Sequence, residues 1–198
     1  MPTTSTQAAP VVPPSPVDHL VTGEEMLAHP EWGFCELVRG KVVPLSTPKP
    51  RHGIITAALT IALGTFVKLH KLGKVLNGDP GVYTTRDPDS VRGPDVCFIS
   101  NARLEMANRE TGYWGTLPEL CVEVISPGDA WSEVMEKVEE YLAAGVVLVW
   151  VVDPQRRKAY VYRSGRPTRV LTANDALEGE EVLPGFVLPL AELFGELD

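Results

Sequence analysis

Two acidic residues stand where the pattern of the chain calls for apolar ones. Asp95-Val-Cys-Phe-Ile99, preceded by Pro94, and Leu120-Cys-Val-Glu123-Val-Ile125 are apolar at nearly every other position. That is the pattern of central strands covered on both faces. An ionised carboxylate in such a strand costs heavily unless it is paired or binds a metal. If the two strands are neighbours, Asp95 and Glu123 repel each other and one tends to stay protonated. A divalent cation removes that repulsion, and oxygen ligands completed by water suit Mg²⁺ or Mn²⁺. A plainer account is also open: Asp95 begins its strand just outside the core, and Glu123 pairs with a buried Lys or Arg.

Five further residues gain meaning only beside that pair. Glu36 lies within the strand-like run Phe34-Cys-Glu-Leu-Val38, where a solvent-facing hairpin position is the ordinary reading. His52 opens a long helix, and first-turn residues there are ordinarily exposed. Glu133, Lys137 and Tyr141 follow i, i+4, i+8 and so share one helix face. A surface Glu–Lys pair explains Glu133 and Lys137. The functional alternative is that this helix, coming straight after the Glu123 strand, returns Lys137 to the carboxylates.

The elements that must position these groups are readable in outline. Residues 1–16 are Pro, Thr, Ser and Ala with almost no charge, a flexible tail ahead of one domain over 17–198. Thr22-Gly-Glu-Glu25 is a capping-box pattern for a short helix reaching Pro30. Phe34–Val38 and Lys41–Leu45 form a hairpin turning at Arg39-Gly40. From Arg51 to Leu72, residues Ile54, Ile55, Ala58, Leu59, Ala62, Leu63, Phe66 and Leu69 fall at helical spacing, with Gly73 as the expected C-cap.

Short strands are expected at Lys74–Leu76 and Gly81–Thr84, ahead of the two acid-bearing ones. A second helix over Ala130–Ala144 carries the stripe Trp131, Val134, Val138, Tyr141, Leu142 and stops at Gly145. Val146–Val152 reads as another buried strand and Lys158–Arg163 as a more exposed one. Short strand pieces and a turn follow between Glu181 and Phe194. Strands before and after two long helices predict an α/β fold, a mixed sheet flanked by helices.

Composition narrows the class without choosing a function. With 198 residues, 44% hydrophobic and 22% charged, the chain fits one globular domain. Its uninterrupted apolar runs are too short for a membrane-spanning helix, and no basic-then-apolar leader is present, so the expected location is the cytoplasm. The net charge of −8 argues against a broad grip on nucleic acid, but not against a local one. Three cysteines, Cys35, Cys97 and Cys121, lie among apolar neighbours as reduced, buried thiols would.

Taken in order, these pieces resemble the Uma-two family of predicted bacterial endonucleases, within the PD-(D/E)xK superfamily. The matching runs are Cys-Glu36-Leu-Val-Arg-Gly40, His52, Gly93-Pro-Asp95-Val-Cys-Phe-Ile, Pro118-Glu-Leu-Cys-Val-Glu123-Val-Ile-Ser-Pro127, Glu136-Lys137-Val-Glu-Glu-Tyr141 through Gly145, and Val149-Trp-Val-Val-Asp153-Pro. The resemblance implies a restriction-endonuclease-like core and a Mg²⁺ (or Mn²⁺) site held by Asp95 and Glu123. The implied activity is hydrolysis of DNA phosphodiester bonds. Ile125 stands where the motif lysine belongs, and Lys137 is similar to the family's migrated lysine. Glu36, His52 and Tyr141 are implied as additional members of the site. Cutting both strands of a duplex further implies a homodimer. Two other readings share the fold: a catalytically inactive DNA-associated or regulatory protein, and a hydrolase of another phosphoester.

Overall fold

The computed structural model describes residues 19–107 and 112–198. The expected tail over 1–16 lies outside the described residues. The first helix, α1 (Gly23–Ala28), is capped by the Thr22 hydroxyl, which accepts from the Glu25 N–H. The Glu25 carboxylate turns to His19 instead of back to the cap. A 3-10 turn, Pro30–Trp32, leads into the hairpin β1 (Cys35–Val38) and β2 (Lys41–Pro44), which turns at Arg39-Gly40 with φ of 49° and 74°. The hairpin joins β5 (Ser90–Arg92) and β4 (Val82–Thr85) in a small sheet ordered β2-β1-β5-β4.

The larger sheet contains β3 (Gly73–Asn77), β6 (Val96–Ser100), β7 (Leu120–Val124), β8 (Leu148–Asp153), β9 (Lys158–Tyr162) and β10 (Arg169–Leu171), in the order β10-β9-β8-β7-β6-β3. Only β7 and β8 run parallel, and α4 (Trp131–Ala144) is the crossover between them. The sheet is mixed, as the strand and helix order predicts. A two-stranded ribbon, β11 (Ala176–Glu178) with β12 (Val187–Pro189), and the helix α5 (Leu190–Gly195) close the chain.

Side-chain alternation divides the large sheet between two helices. Leu120, Val122 and Val124 of β7, with Val96 and Phe98 of β6, join one core against Ile55, Leu59, Leu63 and Val67 of α2 (Pro50–His70). Cys97, Cys121, Val149 and Val151 pack on the other face against Val134, Val138 and Tyr141 of α4. Glu123 shares the parity of Cys121, so it projects towards α4. That parity is what lets residues of α4 reach it.

Several expectations are corrected. Gly73 is not the C-cap of α2; Lys71 takes the left-handed conformation (φ 56°) and Gly73 opens β3. The glycine is needed there for a different reason, since a Cβ would stand 2.0 Å from the Ile99 carbonyl oxygen. Ile54 and Leu69 are exposed, because the apolar surface of α2 is wider than the face it buries. That helix is also long and apolar enough to cross a membrane by length and composition, which run length alone did not anticipate; charges sit only near its ends. Its buried side is nevertheless one wall of the core. Trp131 is exposed and meets Tyr160 edge-on at 4.8 Å. Cys97 and Cys121 are buried thiols, while Cys35 is half-buried.

Candidate active site

Asp95 sits in the bend just before β6, fixed by the preceding Pro94 and by two partners. The Val124 N–H donates to Oδ2 at 2.6 Å, and the His52 Nε2 lies 3.0 Å from Oδ1. His52 is in the first turn of α2, buried rather than exposed, with Nδ1 at 3.4 Å from the Thr56 hydroxyl. Asp95 therefore ties the end of β7 to the start of α2. Its own strand pairs with β7 through Val96 and Val122, so Asp95 and Glu123 stand at adjoining strand ends.

Glu123 is enclosed from the α4 side. Tyr141 donates its hydroxyl proton to Oε1 at 2.8 Å, and the Lys137 ammonium lies 3.2 Å from Oε2. Lys137 and Tyr141 are one turn apart on α4, so both overhang the same strand position. Lys137 does not make a surface pair with Glu133. Its second partner is Glu36 of β1, at 2.9 Å. Glu36 is 3% exposed, not a solvent-facing hairpin residue. It also accepts from the Gly93 N–H at 2.9 Å and from Arg92 Nη1 at 3.0 Å. Arg92 in turn forks onto Glu140 of α4 through Nε at 2.7 Å and Nη2 at 2.9 Å.

The charges are unevenly settled. Burial drives the Glu123 carboxyl up to about 8; Lys137 pulls it down, Asp95 and Glu36 push it up, and the Tyr141 hydrogen bond lowers it. Burial also works against the Lys137 ammonium, but Glu123 and Glu36 outweigh it and hold the group well above its ordinary range. Burial opposes charge on His52 too, and the hydrogen bond and charge of Asp95 more than offset it. Asp79, in the loop after β3, is pushed up to about 6 by burial and by the charge of Asp95. It lines the same cleft as His52, Asp95, Glu123, Lys137 and Asp129, a space of about 140 Å³.

Asp95, Glu123, Lys137, Glu36, His52 and Tyr141 are thus brought together. Asp79, Arg92 and Glu140 join them without having been expected. Asp79 lies in Asn77-Gly78-Asp79-Pro80-Gly81, where an acid looks like turn chemistry. Its backbone packs so closely on Gly93 that a Cβ there would stand 2.8 Å from the Asp79 Cβ, a hint given only by the tertiary structure.

Among the described residues no three His, Cys, Asp or Glu side chains converge as a complete ligand set. A Mg²⁺ ion keeps several waters and asks the protein for one or two carboxylates. Asp95 and Glu123 meet that requirement, in a cleft where burial and neighbouring acids hold the Glu123 and Asp79 carboxyls above their ordinary range.

A mixed sheet between two helices, with paired acids at adjoining strand ends and a lysine from the next helix, places the chain in the restriction-endonuclease-like class of α/β folds. A family model described as "Putative restriction endonuclease", Uma2, matches residues 24–191, and the chain belongs to that family. Among solved structures it is similar to a putative nuclease of DUF820 from Anabaena variabilis, with a TM-score of 0.75 and 20% identity. The match covers 90% of this chain and 99% of that one. No curated protein sequence matches the chain.

Proposed function

We propose that this chain is a Mg²⁺-dependent endonuclease hydrolysing DNA phosphodiester bonds. The observation that carries the reading is the meeting of Asp95, Glu123 and Lys137 in one cleft, from a strand bend, a strand and the following helix. Asp95 and Glu123 would hold the ion, with Mn²⁺ as an alternative. When bound, such an ion lowers the pKa of a coordinated water and offsets the charge that develops on the phosphate.

The chain's own groups have separate tasks. Lys137 stays protonated between its two carboxylates and places a fixed positive charge at the cleft, where negative charge grows on the phosphodiester. Its position on α4 fills the role vacated at Ile125, whose side chain cannot carry charge. Tyr141 holds one oxygen of Glu123, and His52 and the Val124 N–H hold both oxygens of Asp95, so neither acid is free to swing. Cutting both strands with one cleft per chain calls for two copies, and a homodimer in the cytoplasm is part of the proposal.

One observation favours the second reading, an inactive DNA-associated protein on the same fold. All four carboxylate oxygens of Asp95 and Glu123 already have partners within the chain. Cleavage of supercoiled plasmid with Mg²⁺ or Mn²⁺ separates the two. Nicking that Glu123→Ala and Lys137→Ala each reduce by on the order of 10²-fold or more supports the nuclease. Absence of cutting on plasmid, single-stranded DNA and RNA with either metal leaves the binding protein standing.

A further inference from the structure

Lys137 comes from a helix and must hold a charge where the usual motif places it on the strand. A flexible four-carbon side chain has no fixed head position of its own. Something must hold that head, and Glu123 alone would pull it onto the carboxylate it is meant to serve. The second contact is Glu36, which has no rotational freedom left: Gly93 N–H holds Oε1 and Arg92 Nη1 holds Oε2. Arg92 is 5% exposed and does not face the cleft that the acids line. Its remaining donors fork onto Glu140, three residues beyond Lys137 on the same helix. A planar guanidinium with two donors on one carboxylate and a third on another is a rigid spacer.

We infer that Arg92 is the positioning residue of the site: clamped to α4 through Glu140, it holds Glu36 at a set distance from that helix, and Glu36 seats the Lys137 ammonium. This rests on the nuclease reading for its catalytic consequence, but not for its geometry. The chain Glu140–Arg92–Glu36–Lys137–Glu123 alternates in sign and is closed at both ends on α4 or the strand beside it. A shift of the small sheet relative to α4 would therefore move the lysine head.

The test compares wild type, Arg92→Lys and Arg92→Ala. Arg92→Lys keeps the charge but loses the fork. The direct readout is the rate at which acetic anhydride modifies Lys137, followed by peptide mass spectrometry, with exposed Lys41 as internal reference. In folded Arg92→Lys, Lys137 should react faster by on the order of 10-fold, with Lys41 unchanged, because a Glu36 released from the fork no longer seats the ammonium in its buried position. In Arg92→Ala, millimolar guanidinium should restore the slow rate, since a cavity of about 250 Å³ bounded by Glu36, Arg92 and Gly93 gives it entry.

On plasmid, Arg92→Lys should lower kcat by about 10²-fold with KM within twofold, as a misplaced charge rather than a lost contact would. Unchanged Lys137 labelling in a variant whose near-ultraviolet circular dichroism is native overturns the proposal, whatever the melting temperature does. If Arg92→Ala fails to fold, Arg92→Lys and Glu140→Gln carry the same labelling readout. If wild type cuts no substrate, the nuclease reading falls and the labelling still decides the seat.

Discussion

Asp79 bears the plainest cost of the crowded cleft. It takes its proton near 6 in the fold against 3.8 as a free carboxyl, because burial and Asp95 both disfavour its charge. A group whose folded pKa is raised loses stability as pH rises, here across the window from about 4 to about 6. Asp79→Asn should therefore raise the melting temperature at pH 8, show a smaller gain at pH 5 and match wild type near pH 4. A gain of equal size at pH 4 and pH 8 would mean that its charge is not the cause. Mg²⁺ should shrink the gain at pH 8, since a cation in the cleft relieves the wild-type acid. Asp95 and Glu123 were legible in the sequence because an acid in an unbroken apolar strand has few explanations. Asp79 was not, because an acid beside Gly and Pro is ordinary turn chemistry. Arg92 and Glu140 were hidden for another reason. Their significance lies in partners 56 and 48 residues away, which no local pattern reports.

At the level of elements, two glycines near α2 should respond in opposite ways to the same added methyl. Gly73 lies at the start of β3, where a Cβ would stand 2.0 Å from the Ile99 carbonyl oxygen and 2.8 Å from the Ser100 Cα. Backbone cannot yield as a side-chain tip can, so Gly73→Ala should lower stability by about 2–3 kcal/mol, within the range for overpacking. Gly64 is inside the helix with nothing within 4 Å of the corresponding position. Gly64→Ala should raise stability by about 0.5–1 kcal/mol through helix propensity. Urea denaturation of both variants checks the pair, and equal signs would refute the close-approach account of Gly73. The long elements were readable because period and length agree. The 3.6-residue pattern found α2 and α4, and continuous apolar runs found β7 and β8. The three-residue β5 and the six-residue helix α3 (Asn101–Met106) were missed, being too short to show a period. Which side of α2 faces the core was only partly legible, since Ile54, Ile61 and Leu69 continue the apolar pattern around onto exposed surface.

For the molecule as a whole, a net charge of −8 conceals a segregation. From Leu37 to Gly78 the chain carries seven of its 18 Lys and Arg and none of its 26 Asp and Glu. Lys49 and Arg51 lie in this stretch, beside Pro48 and His52, which line the cleft. Neither makes an ion pair among the described residues, whereas Arg156 and Arg157 are paired with Asp153 and Asp198. A cation without an acidic partner is free to displace counterions from a phosphate backbone, and each one that does so adds about 0.9 to the salt slope of binding. The proposed DNA contact therefore predicts a specific ranking. Duplex affinity of Asp95→Asn protein, held inactive, should be measured by fluorescence anisotropy across a salt series. Replacing Lys49 and Arg51 together with Ala should reduce the slope of log affinity against log salt by about 2. Replacing Arg156 and Arg157 with Ala should leave it nearly unchanged, since these two already spend their charge on acids of the same chain. A slope that responds to the second pair and not the first would move the DNA to another face, away from the cleft that Asp95 and Glu123 share.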